Sequence, residues 1–492
     1  MPEHVWEQND PYDEFEPISS LVSDLSDSED VNSHYYRGLA GRRRKAAVAL
    51  TIIWASTIAL HLLPWGTWVV VGIITLMLIH ALRLFFARPR VTPELWQEHD
   101  PTLLPFVSLL VAAKNEEAVI GSLVRTLCNL DYPTDRYELW VIDDNSSDRT
   151  PLVLQKLEKE YDQLKVFRRG SDATGGKSGA LNQVLRQAKG EILGVFDADA
   201  QVPADLLRRV LPLFQREQVG AVQVRKAIAQ ENRMPDARNF WIQGQVAEMA
   251  LDTWLQQHRI AVGGIGELRG NGQFVRRSAL DRCGGWNEET ITDDLDLTFR
   301  LHLDQWDIEC LASPPVQEEG VTRAVSLWHQ RNRWAEGGYQ RYLDYWQLIT
   351  RNRMGFRKTF DLLMFFFIQY VMPTAAVPDL LMAIARNRLP LLGPIASLSF
   401  TLSLIWIFLG LRQFQHDPRN SEAPSQRLPI WVTAFQALRG LIYMLHWFAV
   451  MASTTARMSF RPKRLKWVKT VHHGSDDLWL DVVEQPESGM TS

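Results

Sequence analysis

Asp197 and Asp199, in the segment FDADA, follow an apolar run that reads as a strand. In extended backbone, residues i and i+2 point to the same side, so both carboxylates face one way with Ala198 opposite. Two hard oxygen donors just past a strand suit a hard divalent cation; Mg2+ takes one or two protein carboxylates and completes its octahedron with phosphate oxygens and water. An earlier strand end, IDDNSSDRT, offers Asp143, Asp144 and Asp148. A carboxylate there can accept from a base or a ribose, although a turn also selects Asp, Asn and Ser.

Three further segments carry charge of a useful kind. TGGKSGALN (174–182) presents Lys177 among glycines. It is not a Walker A loop, because Ser171 stands where the first glycine of GxxxxGK[ST] would fall. A Lys177 facing a phosphate and a helix N-terminus near Ser178 are compatible readings. TITDDLDLTFRL (290–301) sets Asp293, Asp294 and Asp296 behind Thr292, a plausible N-cap. Acids at that position complement the helix dipole. A carboxylate crowded by other acids is also the material of a general base. In HQRNRWAEGGYQ (329–340), helical phase puts Gln330, Arg333 and Trp334 on one face. Ala335, Tyr339, Tyr342, Trp346 and Ile349 fall on the opposite face, and Gly337-Gly338 is expected to interrupt the helix. One face would bring a guanidinium to a diphosphate and an indole to a sugar or acceptor; the other would rest on lipid headgroups.

Elements must hold these groups together. Runs at 106–113, 137–143, 191–197 and 220–225 read as strands, with helical patterns at 116–129, 150–163 and 178–188. That alternation predicts an α/β domain: a mostly parallel sheet with helices on both faces, and ligands beyond the carboxyl ends of its strands. Apolar segments flank it. Residues 45–63 and 67–86 are long enough to form a transmembrane hairpin. GRRRK before it and ARPR after it put both ends in the cytoplasm. Three more apolar segments follow, at 359–385, 390–411 and 428–455. As three full spans they would leave the basic RMSFRPKRLKWVK outside, against the positive-inside bias. One of them is therefore expected not to span. The segment 359–385, with Pro373, Pro378 and Asp379, is the expected exception, and four or five membrane segments result. Arg439 and His446 in the last are expected to line a bundle interior or a cavity. The predicted order is a disordered acidic tail (1–40), membrane hairpin (41–90), cytoplasmic domain (91–322), interfacial helix (323–350), membrane bundle (351–456) and basic cytoplasmic tail (457–492).

Composition excludes several classes. The net charge of −4 averages opposed blocks: the first thirty residues hold ten acids and no Lys or Arg, while 456–469 hold six Lys or Arg and no acid. No overall basic footprint for nucleic acid exists. Cys128, Cys283 and Cys310 form no CxxC or His/Cys cluster, which argues against zinc and a disulfide framework.

The ordered series Asp143-Asp144, Lys177 with ALN, Asp197-x-Asp199, Thr292-Asp293-Asp294 and Gln330-x-x-Arg333-Trp334 resembles the membrane-bound, cellulose-synthase-like group of family 2 glycosyltransferases over about 105–350. That resemblance implies a GT-A fold, a UDP-sugar donor, Mg2+ or Mn2+, and inversion at the anomeric carbon. By position it makes Asp294 the catalytic base, with Asp293 standing where the family has Glu, and Asp199 the metal ligand. It assigns Ala113, Glu116, Asp144, Lys177, Asp197, Gln330, Arg333 and Trp334 to the UDP-sugar. The segments VAAKNEEAVIG, GGIGELRGNGQFVRR and HQRNRWAEGGYQRYLDYW are most similar to cyanobacterial members that glucosylate lipids. This closer resemblance implies UDP-glucose as donor, the 3-hydroxyl of 1,2-diacylglycerol in the bilayer as acceptor, and a plasma or thylakoid membrane as location. A processive polysaccharide synthase using a UDP-sugar shares every motif and stays open at this point. No protein partner is indicated.

Overall fold

A computed structural model describes residues 41–91, 93, 104–229, 238–414 and 428–460; the acidic tail and most of the basic tail lie outside them. Seven strands form one sheet in the order β3-β2-β1-β4-β6-β5-β7. They are β1 (Val107–Ala113), β2 (Tyr137–Asp143), β3 (Leu164–Arg168), β4 (Ile192–Phe196), β5 (Val219–Ile228), β6 (Gln273–Arg276) and β7 (Asp307–Glu318). β1 runs parallel to β2 and β4, and β2 to β3, while β6 is antiparallel to both β4 and β5. β5 and β7 pair in parallel. With β6 alone reversed, the carboxyl ends of the other six strands share one edge.

The central strands are buried on both sides, as a helix-covered parallel sheet requires. Leu109, Val111, Leu139 and Val141 face a layer built from α3 (Ile120–Cys128), α4 (Thr150–Glu158) and α6 (Leu206–Val210). Leu110, Ile142, Leu193 and Val195 face the other layer, made by α5 (Gly176–Leu185), α8 (Arg277–Arg282), α9 (Asp293–Leu303) and α10 (Ala324–Thr350). This second core continues without interruption into the apolar helices: Ala46, Leu362, Tyr370, Val450 and Met451 belong to it. This layer and the apolar helices therefore share one packed interior.

The apolar helices are α1 (Arg42–Leu62), α2 (Gly66–Phe85), α11 (Phe356–Ala385), α12 (Gly393–Phe414) and α13 (Ile430–Phe460). Within the domain a further long helix, α7 (Phe240–Ala261), packs on α12 and α13. Among the described residues four helices are long and apolar enough to cross a membrane: α1, α2, α11 and α12. The expected exception was 359–385, and the structure differs there. α11 meets the criterion, and its Asp379 is provided for locally: the Asp379 carboxylate accepts from Leu391 N and Leu392 N at 2.9 and 3.1 Å and faces His61 Nε2 at 2.7 Å. α13 falls outside the set, and its polar groups turn to the domain, with Arg439 Nη2 donating to Gln243 Oε1 at 2.7 Å.

Two readings of the QxxRW segment change. α10 runs unbroken through Gly337-Gly338. The glycines serve close approach instead: a Cβ on Gly337 would lie 2.3 Å from Thr292 Oγ1, and one on Gly338 2.3 Å from the Tyr370 hydroxyl. The aromatic stripe expected on headgroups is core. Ala335, Tyr339, Tyr342 and Ile349 are buried, Tyr342 edge-on to Phe299 and against Phe366, while Trp346 stays about half exposed.

Candidate active site

The shared strand edge collects the chemistry. β1 ends at Ala113, β2 leads into Asp144, β4 into Asp197 and Asp199, β5 carries Lys226 near its end, and β7 ends at Glu318. α9 brings Asp293 and Asp294 over this edge, and α10 brings Gln330, Arg333 and Trp334. All of these line one cavity of about 1590 Å³, together with Glu116 and Lys177. Acids spread from 144 to 294 thus meet the arginine–tryptophan pair in one space.

Folding sorts the acids that spacing left together. Asp143 Oδ1 accepts from Ser146 N at 3.0 Å, and Asp148 Oδ1 from Thr150 N at 2.9 Å, so both do turn work. Asp144 faces the cavity, held by Arg169 Nη1 at 2.6 Å. Asp296 is on the buried side of α9, between Arg300 Nε at 2.7 Å and the Tyr345 hydroxyl at 2.8 Å. Ala113 and Glu116 are both buried in the wall. Lys177 lies in the first turn of α5, whose N-cap Gly175 adopts a φ of 81°, a left-handed conformation suited to glycine. Its ammonium reaches Asp197 Oδ1 at 2.5 Å. Asp199 Oδ2 accepts from Glu319 N at 3.0 Å.

The electrostatics couple these groups. Burial and then the neighbouring Asp293 push the Asp294 carboxyl up to about 6, against the pull of Lys177 and Lys226. Burial opposes the charge on Lys177, but Asp197, Asp293 and Asp294 more than offset it and raise its pKa. Burial lowers the Arg333 guanidinium from its usual value, while Asp197, Asp294 and Asp293 work the other way. A carboxylate poised near neutrality beside several cations is what a general base at an anionic leaving group needs.

Asp197 and Asp199 present hard oxygen donors at the wall, and their chemistry fits a divalent cation shared with a diphosphate. Among the described residues no three His, Cys, Asp or Glu side chains cluster as a protein-only cage.

Several contributors escaped the sequence reading. Arg169 is buried just after β3 and donates to Asp144, to Gly176 O at 3.1 Å and to Thr174 O, tying the glycine turn to the β2 edge. The strand LKVFR that positions it is short and charged, so no apolar run announced it. Lys226 pairs with Glu318 at 2.9 Å and lies 5.5 Å from the Trp334 ring centroid. Arg331, inside the QxxRW motif, stacks over Trp334 at 4.1 Å and donates to Glu248 Oε2 at 2.5 Å.

The chain is similar in sequence to known proteins. The description "Glycosyltransferase like family 2" matches residues 105–337. The chain belongs to glycosyltransferase family 2, and its mostly parallel sheet is the GT-A type. It is 62% identical, over 97% of its length and 100% of the relative, to the beta-monoglucosyldiacylglycerol synthase of Trichormus variabilis. It is 54% identical to the synthase of the same name from Synechocystis sp., over 98% of this chain and 99% of that one. Among solved structures, the mannosyltransferase PcManGT from Pyrobaculum calidifontis aligns over 82% of this chain and 99% of that chain, at 20% identity and a TM-score of 0.46.

Proposed function

We propose that the chain transfers glucose from UDP-glucose to the free hydroxyl of 1,2-diacylglycerol with inversion, forming a β-glucosyl lipid. One observation carries this reading. The cavity that holds Asp294, Arg333 and Lys177 runs on between α11, α12 and α13, where Ile368, Met372, Phe400 and Phe448 line it. A polar nucleotide end joined to an apolar end matches a soluble donor and a bilayer acceptor. The full-length identity to beta-monoglucosyldiacylglycerol synthases supports the choice of sugar and lipid.

The acceptor hydroxyl loses its proton to Asp294 as its oxygen attacks the anomeric carbon. Displacement on the face opposite the UDP turns an α-linked donor into a β-glycoside. Ala113, Glu116 and Asp144 hold the uridine side; Gln330 and Arg333 hold the diphosphate, and Trp334 shapes the acceptor end. Arg333 and Lys177 stabilise the charge that grows on the departing diphosphate, each such group being worth ~2.7–4 kcal/mol of barrier. Asp199, with Asp197 beside it, would hold Mg2+ or Mn2+, which supplies further positive charge at the diphosphate. With α1, α2, α11 and α12 as the four spans, the domain and both chain ends share the cytoplasmic side. The basic tail then obeys the positive-inside bias. α13 packs on α1, α7 and α12, and its exposed Trp431, Phe435, Leu438 and Ile442 form an apolar side suited to lipid. By resemblance the membrane is a cyanobacterial plasma or thylakoid membrane.

The test incubates purified full-length chain with labelled UDP-glucose, Mg2+ and diacylglycerol micelles. Label extracted into chloroform as a monoglucoside is the expected result. Label in an insoluble glucan points to a polymer synthase and overturns the assignment.

A further inference from the structure

Pockets for drug-sized ligands occupy ~300–1,000 Å³, whereas this cavity spans about 1590 Å³ and extends beyond any nucleotide-facing wall. The additional space lies in the membrane arm. There α11 departs from α-helical geometry: Phe367–Val371 form a π turn. Such turns insert one residue into a helix and recur at functional sites. Ile368, Gln369 and Tyr370, all within it, line the cavity. The Tyr370 hydroxyl donates to Ala335 O at 3.3 Å, next to Trp334, and Gly338 leaves room for it. The π turn is therefore fastened to the helix that carries the QxxRW motif. Beside that anchor, Gln369 Oε1 is buried without a hydrogen-bond partner. An unsatisfied amide oxygen at the depth of membrane helices is costly unless something supplied later pairs with that side chain.

We infer that the membrane arm is the acceptor subsite, and that Gln369 is its specificity-determining residue. Diacylglycerol enters from the bilayer with its acyl chains along Ile368, Met372 and Phe400. Gln369 Oε1 accepts from the free hydroxyl, the lipid's single hydrogen-bond donor, as the lipid enters, and that hydroxyl then turns to Asp294 in the same cavity. This inference rests on the diacylglycerol reading above.

Three measurements on full-length protein test it. In nanodiscs containing dioleoylglycerol, Gln369→Leu should raise KM for the lipid about tenfold, the worth of one good hydrogen bond. Affinity for UDP, read by titration calorimetry, should stay within about twofold of the unmutated chain. A diazirine-bearing diacylglycerol, irradiated on the unmutated chain, should label peptides containing Gln369 and Ser399. Wild-type KM in the variant, or label confined to α1 and α2, overturns the subsite while product formation by the unmutated chain keeps the glucosyltransferase reading. If the unmutated chain makes no chloroform-soluble glucoside, that reading fails and the subsite falls with it. If Gln369→Leu also loses UDP affinity, the fold is damaged and the labelling pattern decides alone.

Discussion

Gly337→Ala adds one methyl group on the helix that presents Arg333 and Trp334. The new Cβ would sit 2.3 Å from Thr292 Oγ1, 2.5 Å from its Cγ2 and 2.9 Å from its Cβ. Restoring ordinary van der Waals separation requires a shift of about 1 Å between α9 and α10. Overpacking of this kind costs ~1–3 kcal/mol, and replacing a mid-helix glycine by alanine returns ~1 kcal/mol. The net loss of stability is then about 0–2 kcal/mol, small enough for the protein to fold. The catalytic cost is larger, because Thr292 is the N-cap of the helix whose first residues are Asp293 and Asp294. A displacement of ~1 Å at the reacting centre costs about 10²-fold in kcat. The assay is initial-rate formation of labelled glucolipid, with thermal unfolding followed in parallel. The double variant Gly337→Ala/Thr292→Ala removes Oγ1 and Cγ2, the two closest contacts. Since Thr292 Oγ1 is buried without a partner, its removal sacrifices no hydrogen bond. Most of the lost rate should return. An unchanged kcat in the single variant, or a double variant slower than both singles, would refute the steric argument.

Asp294→Asn should lower kcat by ~10²–10⁴-fold, the range for a lost general base, with UDP affinity by calorimetry preserved; a rate near that of the unmutated chain would remove Asp294 from the mechanism. Burial and the neighbouring Asp293 raise the Asp294 carboxyl to about 6, and it must be deprotonated to act, so kcat/KM should fall as pH drops through that region. Asp293→Asn removes a nearby negative charge, which eases ionisation of Asp294 and should move the acid limb to lower pH; a limb that stays put or rises contradicts the coupling. Chelation with EDTA should abolish transfer, and Mg2+ or Mn2+ should restore it; full activity in chelator would exclude the cation assigned to Asp199.

The strand-end acids and the QxxRW face were legible because their signals are local. An apolar run followed by Asp-x-Asp, or Gln, Arg and Trp at i, i+3 and i+4, carries its own geometry. The fold class was legible for the same reason: β1, β2, β4 and β5 are apolar runs separated by helical periods. The antiparallel β6 and the long edge strand β7 were not, since QFVR is four residues and DIECLASPPVQE carries charges and two prolines. Their pairing comes from partners far away in the chain, and β7 is what brings Glu318 to Lys226.

Sequence alone determined which residues are able to do the chemistry: the acids, Lys177, Arg333 and Trp334, and the apolar lengths that suit a bilayer. Tertiary structure decided which of them do face one another. It turned Asp144 and Asp294 into the cavity while Asp143 and Asp296 went to turns and core. It made the Tyr339–Tyr342 stripe a buried interface and spent Gly337-Gly338 on close packing. It also opened the arm beside Gln369. The reason is physical: periodicity states that a helix has an apolar face, but what covers that face is settled by segments brought up from elsewhere, here α9 and α11, whose packing no local pattern encodes.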